Sequence, residues 1–348
     1  MKSKKYKILI IGCITDKNSI ELKYYRAIKK NKNISVKIKK NEIINLFKIR
    51  IIQKYFQFIF YYYYSLKLKN FFRKNRNKYD IVLIFKGLFY DKESIEQIKK
   101  FSANTIFINI DGDDPFNIVV PSISNEKHII SLTAYDIIFF WSEKIKKKFI
   151  KKFPQQIKKT KILYFGHENK NKITVKKFNP YFIFYGSWDL ERERFLNSLK
   201  INNLKIYGNG WNACSNKFKF KNNIYSEISG KKLSKVIYSS LGVINLFRKQ
   251  NNDQTNMRIF EILGSGGLLV SKQSESLKKI FRSSKFFFQF NNLMQCNSIL
   301  NLINNKVRMN LFFFDYRKKA QNELKTHTYE HRFKEILNYS TQYTNQYN

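Results

Sequence analysis

The chain has few of the residues that build cross-links, metal sites and tight turns. Its 348 residues include 3 cysteines, 4 histidines, 4 prolines and 12 glycines. Cys13, Cys214 and Cys296 lie far apart and form no Cys-x-x-Cys pair, which argues against a disulfide framework and against a cysteine-rich zinc site. The histidines are too scattered for a histidine-rich metal site. We therefore expect no metal site, no cofactor and a reducing compartment.

Acidic residues are scarce as well. Asp and Glu number 25 against 66 Lys and Arg, so the formal net charge is +41. Such a field favours anionic ligands, nucleic acid among them. The lysines are spread over the whole chain beside many Asn, Ile, Tyr and Phe, which all have A/T-rich codons. Genome composition is the favoured explanation, and a nucleic-acid-binding protein with a basic aromatic surface is the alternative.

No apolar run in the sequence is long enough to cross a membrane. Residues 8–14 lead into Asp16 and Lys17 without a cleavage site, which predicts a buried strand rather than a signal peptide, and a cytoplasmic protein. The uncharged run at 55–66 (YFQFIFYYYYSL) has 12 residues, against about 20 for a spanning helix. It predicts a helix packed on the sheet, which we favour. The alternative is peripheral contact with anionic lipid at the inner face of the membrane.

Short apolar runs alternate with helical segments, which predicts parallel sheets covered on both faces. The expected strands are at 7–12, 35–38, 81–85, 105–110, 136–141, 161–166, 181–186, 204–208, 242–247, 268–271 and 286–290. The expected helices include 18–30, 92–100, 190–200, 231–240 and 256–263. The alternation breaks at 166–180, so we predict Rossmann-like domains over 1–168 and 169–348. Residues 340–348 are expected to form a frayed tail.

The stretch 251–271 (NNDQTNMRIFEILGSGGLLVS) carries the richest candidate site. Thr255 or Asn256 can cap a helix, and the N-terminus of a helix suits a diphosphate. Arg258 in its first turn adds a forked cation for the same phosphates. Glu261 lies on the same helix face, one turn deeper, where a carboxylate can accept two ribose hydroxyls. A surface helix with an ordinary ion pair would show the same spacing.

Two further strands end in glycine. The stretch 181–194 (YFIFYGSWDLERER) ends a strand at Gly186 and Ser187 and then opens a helix with Arg192 and Arg194, which could clamp phosphate. The stretch IYGNGW ends another strand at Gly208. Each turn alone is typical of a routine connection. Two such ends at one sheet edge favour a ligand there, because glycine lets the ligand approach the backbone.

The N-terminal half offers a cluster of carboxylates directly after a strand. In NIDGDDPF these are Asp111, Asp113 and Asp114. They could supply a general base, a metal ligand or acceptors for sugar hydroxyls, or they could form a polar turn closed by Pro115. The other ligands of a calcium loop are missing. His167, near the domain boundary, is a further candidate base.

The order of these motifs resembles that of the CgeB-like glycosyltransferases of the spore-maturation-protein type, which are related to the group-1 glycosyltransferases. The motifs are DDPF, YDIIFFWS, FYGSWDLERER, IYGNGW, NMRIFEILGSGGLLVS and HTYEHRFKEIL. The resemblance covers 111–337 and is strongest at 181–271 and 327–337. It implies an α/β GT-B fold, with two Rossmann-like domains facing a central cleft. The last helix, at about 328–340, would pack back toward the N-terminal domain.

The resemblance further implies a metal-independent, hexosyltransferase-type enzyme. It would move a sugar from a nucleotide-sugar donor in the C-terminal domain to a glycan, polysaccharide or glycoconjugate acceptor at the N-terminal domain. The family's Glu-x7-Glu motif stands here as Asp253 and Glu261, with a first acid one methylene shorter, which keeps a catalytically inactive relative as an alternative. Glu261 would hold the donor ribose.

The resemblance also assigns the remaining site residues. The diphosphate would lie against a helix N-terminus and arginines, at Asn256, Arg258, Gly186, Ser187, Gly208, Arg192 and Arg194. An inverting reaction would need a base, for which the candidates are Asp111, Asp113, Asp114 and His167. A retaining reaction would need none.

Overall fold

The chain folds into two compact units, which the computed structural model describes for residues 5–12, 14, 19–40, 56–118, 124–168, 179–247, 255–281, 286–306 and 310–347. Unit 1 comprises residues 1–164 and 329–348, and unit 2 comprises 165–328. The division therefore falls after residue 164 rather than after 168, and it assigns His167 to unit 2.

Unit 1 is built on a parallel sheet of six strands in the order β2-β1-β3-β4-β5-β6. The strands are β1 Tyr6–Gly12, β2 Ile34–Lys40, β3 Ile81–Phe85, β4 Ile106–Asp111, β5 Ile137–Phe140 and β6 Thr160–Ile162. In register, Ile8 pairs with Ile81, which in turn pairs with Ile106. Every residue of β3 and β5 is buried, as expected of parallel strands covered on both faces.

Unit 2 is built on a second parallel sheet of six strands, in the order β12-β11-β10-β7-β8-β9. The strands are β7 Phe182–Tyr185, β8 Leu204–Tyr207, β9 Ile224–Tyr225, β10 Gly242–Asn245, β11 Leu269–Lys272 and β12 Phe287–Phe290. The first strand of the unit, β7, pairs with β8 on one side and β10 on the other. This is the strand order of doubly wound dinucleotide-binding sheets. The short β9 was not predicted.

Helices connect the strands in both units. They are α1 Ile20–Lys29, α2 Gln57–Lys74, α3 Lys92–Phe101, α4 Glu126–Ser131, α5 Glu143–Lys152, α6 Leu190–Asn197, α7 Gly230–Ser239, α8 Met257–Gly264, α9 Glu275–Ile280, α10 Leu293–Lys306, α11 Asn310–Leu324 and α12 Tyr329–Tyr347. Single 3-10 turns lie at Leu132–Ala134, Pro154–Gln156, Trp211–Ala213 and Lys221–Asn223. Several helices start at a polar side chain that accepts a first-turn N–H: Asp91, Asn125, Ser142, Asp189 and Asn256. Such caps satisfy N–H groups that have no partner inside the helix.

The last helix, α12, belongs to unit 1 although it follows unit 2 in the chain. Its residues Phe333 and Ile336 lie in the hydrophobic core of unit 1, and the ring of Tyr329 lies 5.1 Å from that of Tyr24. The expectation of a frayed tail from residue 340 is wrong. The helix continues to Tyr347, and the Tyr343 hydroxyl donates to Asp136 at 2.9 Å.

Residues 57–66 of the uncharged run form the N-terminal half of α2. None of the helices in the described part of the chain is both long and apolar enough to cross a membrane. One face of α2 packs in unit 1, where Phe72 lies 5.3 Å from Phe107 between ring centroids. Phe60, Tyr61 and Tyr64 of the run are buried as well, and the packing of the run itself on the sheet stays a prediction.

Replacing Ile336 by alanine should test how much α12 contributes to unit 1. Ile336 is fully buried, so Ile336→Ala should lower the free energy of unfolding by about 2–5 kcal/mol. Urea denaturation followed by circular dichroism measures this change. The control is Lys334→Ala, an exposed position on the same helix, which should change stability by less than about 0.5 kcal/mol. Equal stability of the two variants would contradict the anchoring of α12.

Candidate functional site

The sheet of unit 2 has a switch point between β7 and β10. From β7 the chain continues to β8 on one side, and from β10 it continues to β11 on the other. In open parallel sheets, ligands bind outside the carboxyl ends of the strands at this point. Gly186 follows β7 directly, and the connection from β10 leads to Asn256 at the start of α8.

A buried row of hydrogen bonds holds the N-terminus of α8 at this edge. Asn256 accepts the N–H of Ile259 at 3.3 Å and donates its amide to Asn245 at 3.1 Å. Asn245, the last residue of β10, donates to the Ser271 hydroxyl of β11 at 3.0 Å. All three side chains are buried. The helix N-terminus is thereby fixed to two strands.

The guanidinium of Arg258 lies against the backbone of Gly186. A Cβ at Gly186 would come within 2.7 Å of Nη2 of Arg258, so any larger residue would displace the arginine. The guanidinium carbon also lies 5.7 Å from the ring centroid of Tyr185. Arg258 lies in the first turn of α8 and is half-buried. The switch point therefore carries a cation at the start of this helix.

Glu261 is paired with a buried tyrosine that sequence reasoning missed. The Tyr185 hydroxyl lies 3.3 Å from Oε2 of Glu261 and 3.3 Å from the carbonyl oxygen of Arg258, and it can donate to either. Burial, followed by the charge of Glu261, raises the pKa of Tyr185 well above its ordinary value, although Arg258 acts in the opposite direction. The hydroxyl therefore keeps its proton as a donor. The position of Tyr185 at the end of β7, directly before Gly186, was the sequence signal that could have identified it.

Gly208 packs on the backbone of Gly186. A Cβ at Gly208 would lie 2.1 Å from the carbonyl oxygen of Gly186. That same oxygen accepts the indole N–H of Trp211 at 2.8 Å, and the Gly186 N–H donates to Tyr207 at 2.8 Å. The structure therefore brings the two glycine-ended strands together. It gives Gly208 a packing role in this edge.

The two arginines of α6 differ in position. Arg192 is buried, and its terminal nitrogens donate to the carbonyl oxygens of Ser187 at 2.8 Å and Leu246 at 3.4 Å. It ties the chain after β7 to the chain after β10, which is a positioning role and does not support the predicted phosphate clamp. Arg194 is exposed on α6. Ser187 is exposed next to Gly186.

His167 lies in unit 2, packed against the end of α8. A Cβ at Gly264 would come within 2.3 Å of the imidazole Cγ. The two ring nitrogens of His167 lie 3.1 Å from the carbonyl oxygen of Glu168 and 2.9 Å from that of Leu324. Its surroundings are those of a packed structural histidine. They do not support the predicted role as a base in the N-terminal domain.

In unit 1, Asp111 is buried with a histidine that the sequence did not single out. One carboxylate oxygen of Asp111 lies 3.0 Å from Nε2 of His128, and the other accepts the N–H of Asp113 at 3.0 Å. The side chains of Asp111 and His128 are fully buried. Asp111 therefore shapes the turn that follows β4, and its side chain is closed off from solvent.

The other two carboxylates of this turn are more accessible. Asp113 forms an ion pair with Lys86 at 2.7 Å, and about half of its side chain is exposed. Asp114 lies 4.0 Å from Lys148. Burial raises the pKa of the Asp114 carboxyl, opposed by the N–H of Phe116 and by Lys148. Together they present polar groups at the carboxyl end of β4.

Asp253, the first acid of the predicted acidic-x7-Glu pair, lies outside the described residues. The structure therefore describes only Glu261 of that pair. Among the residues that the structure describes, no three His, Cys, Asp or Glu side chains form a group that could hold a metal ion.

The chain matches a known family over part of its length. Residues 192–338 match the model of a family described as glycosyl transferase-like. The match begins at Arg192 and includes Arg258 and Glu261. No curated protein sequence matches the chain.

Several solved structures match almost the full length of the chain. Anabaena HepE in complex with UDP-glucose is 10% identical over 98% of this chain and 99% of its own, with a TM-score of 0.63. The lipopolysaccharide outer core galactosyltransferase WaaB is 12% identical over 97% and 99%, with a TM-score of 0.58. The N-terminal domain of Candida albicans trehalose-6-phosphate phosphatase is 9% identical over 97% of both chains, with a TM-score of 0.66.

These likenesses show an α/β protein with the GT-B fold, built from two Rossmann-like domains. At such low identities they show the fold alone, and the named proteins differ in chemistry. The family match over 192–338 and the fold together support a glycosyltransferase. The predicted fold class is confirmed.

Replacing Gly208 by alanine should disrupt the glycine-ended edge. A Cβ there would clash with a backbone oxygen that cannot move freely, so Gly208→Ala should lower the free energy of unfolding by about 2–4 kcal/mol. The control is Gly242→Ala on β10, where the nearest atoms to a Cβ lie at 3.4 Å, and it should stay near the wild type. Urea denaturation followed by circular dichroism compares the two. A near-neutral Gly208→Ala would contradict the close packing of the two strand ends.

Proposed function

We propose that this chain is a glycosyltransferase that takes the sugar of a nucleoside-diphosphate donor, and that unit 2 binds the donor at the switch point of its sheet. The family match over 192–338 supports the transferase class, since the fold alone is shared by proteins of different chemistry. The switch point supports the location, because parallel sheets bind ligands there.

The observation that carries the proposal is the contact of Arg258 with Gly186 beside the capped start of α8. A diphosphate needs a cation and backbone N–H groups together. The partial positive charge of the helix N-terminus adds to the arginine charge. In glycosyl transfer, negative charge grows on the departing diphosphate. A fixed arginine and a fixed helix terminus stabilise that charge without rearranging.

Glu261 is proposed to hold the donor ribose. A carboxylate can accept hydrogen bonds from two neighbouring hydroxyls, which suits a ribose 2′,3′-diol. The Tyr185 hydroxyl within reach of one carboxylate oxygen orients the group before the donor arrives. Binding then requires little ordering of the side chain. In this proposal Tyr185 and Arg192 are positioning residues.

The acceptor is proposed to be a glycan, polysaccharide or glycoconjugate that meets unit 1. For an inverting reaction, Asp113 and Asp114 are the better candidate bases, since Asp111 is enclosed with His128. A raised pKa brings the Asp114 carboxyl closer to the range that suits a general base. Transfer of a hexose without a metal, by a CgeB-like enzyme, is the finer form of this proposal.

Glu261→Gln should weaken donor binding about 10- to 100-fold, because a hydrogen bond to a charged group contributes about 1.5–3 kcal/mol. A thermal-shift panel of UDP-, GDP-, dTDP- and ADP-sugars on the wild type first selects the donor. Isothermal titration of that donor then measures affinity. Glu275→Gln, an exposed glutamate of unit 2, is the matched control. Equal affinities of the two variants would contradict the ribose assignment.

Arg258→Gln should weaken binding of the free nucleoside diphosphate about 10- to 100-fold, because a charge-assisted contact with phosphate is lost. It should also slow release of nucleoside diphosphate from the donor in the transfer assay. Arg194→Gln, which removes an exposed arginine of the same unit, should leave both measurements near the wild type. A larger effect at Arg194 would assign the phosphates to α6 instead.

A further inference from the structure

Helix α2 exposes an unusual number of large apolar side chains. Its inner face is buried at Phe60, Tyr61, Tyr64, Leu68 and Phe72. Its outer face leaves 40–72% of each of the following side chains exposed: Phe58, Ile59, Tyr62, Tyr63 and Leu66. Phe56, just before the helix, is 47% exposed. Among the described residues, 14 large hydrophobic side chains are exposed, and six of them lie within residues 56–66.

The outer face is not needed to hold α2 in unit 1. The inner face supplies that packing, since the ring of Tyr64 stacks on Phe89 with 5.7 Å between centroids. The Tyr61 hydroxyl also donates to Asn125 at 2.7 Å. A contiguous exposed apolar patch on an otherwise well-packed helix is typical of an interaction surface.

The same region is strongly and purely basic. From residue 43 to residue 79 the sequence contains nine Lys and Arg and no Asp or Glu. On α2 the apolar and the basic side chains are separated along the helix. The apolar side chains occupy the first half, and the exposed cations Lys67, Arg73 and Lys74 follow in the second half.

We propose that this face docks α2 on the surface of an anionic lipid bilayer. The aromatic–basic face is defined here as Phe58, Ile59, Tyr62, Tyr63, Leu66, Lys67, Arg73 and Lys74. Interfacial helices bury an apolar face at the boundary of headgroups and acyl chains, and cations beside it attract anionic headgroups. Tyrosine suits this depth because its ring is apolar and its hydroxyl stays in water.

The arrangement of charge separates this partner from two others. A symmetric dimer through the aromatic–basic face would pair two faces that both carry cations and no acid, so no cation of one copy would meet a carboxylate of the other copy's face. Single-stranded nucleic acid is bound by aromatic rings interleaved with cations along a groove. Here an uncharged block of side chains precedes the cations on one helix, which fits partial insertion into lipid.

The first test replaces the apolar part of the face. Full-length protein is sedimented with vesicles of phosphatidylglycerol and phosphatidylcholine, and with vesicles of phosphatidylcholine alone. We expect binding to the anionic vesicles and at least about tenfold weaker partitioning for the triple variant Phe58→Ser, Tyr62→Ser, Leu66→Ser. The control is Ile157→Ser, Met294→Ser, Leu302→Ser, which removes three equally exposed apolar side chains elsewhere and should bind as the wild type does.

The second test separates local charge from the net charge of the chain. Lys67→Glu, Arg73→Glu, Lys74→Glu should weaken partitioning into anionic vesicles at least about tenfold. The control is Lys231→Glu, Lys232→Glu, Lys235→Glu, which makes the same charge change at three exposed lysines of α7 and should have little effect. Circular dichroism and donor affinity are measured in parallel to show that each variant is folded.

Three outcomes would overturn the proposal. The first is no binding of the wild type to anionic vesicles. The second is an equal loss in the α2 and α7 charge variants, which would assign binding to overall charge. The third is that the apolar variant abolishes self-association in light scattering, or binding of a single-stranded oligonucleotide, and leaves vesicle binding intact. None of these results bears on the proposed function, because donor affinity is measured separately.

Discussion

The row of hydrogen bonds from Asn256 through Asn245 to Ser271 is the constraint on which the candidate donor site depends. Helix α8 has 8 residues, too few to be stable on its own in water. Its start is defined by polar groups that are buried, and a buried amide without its partner would cost about 1–3 kcal/mol. Because the row ends on two neighbouring strands, the helix cannot slide along the sheet. The fixed start of α8 sets the positions of Arg258 and Glu261 on the sheet edge.

Close backbone contacts supply the second half of the site. Gly186 lies against the guanidinium of Arg258 on one side and against the backbone of Gly208 on the other. The site therefore needs two residues without side chains at adjacent strand ends. Arg192 donates to the carbonyl oxygens of Ser187, after β7, and Leu246, after β10. These features serve packing and ligand access at once. A substitution at this edge would change stability and binding together, which makes matched controls necessary.

Much of the fold was predictable because parallel strands buried on both faces leave continuous apolar runs, such as residues 81–85 and 182–185. The order of the strands was not predictable, since it depends on contacts between distant segments. The role of Arg192 was missed because an arginine is usually exposed, whereas here backbone carbonyls accept its donors. The Asp111–His128 pair joins two segments 17 residues apart. The helical end of the chain was missed because residues 341–347 (TQYTNQY) show no apolar pattern. Ser340, which is buried, is itself polar.

The excess of positive charge has two separate features, its amount in the whole chain and its distribution along the sequence. A/T-rich codons explain why the whole chain has many Lys, Asn, Ile, Tyr and Phe, and they explain the charge of exposed helices such as α7. They do not by themselves explain why 37 consecutive residues, 43–79, contain no acidic side chain, nor why α2 turns aromatic rings outward while a full inner face is already packed. Selection for packing would bury such rings, because each exposed ring forgoes the free energy of burial. A partner surface that covers these rings and carries negative charge would recover this free energy of burial.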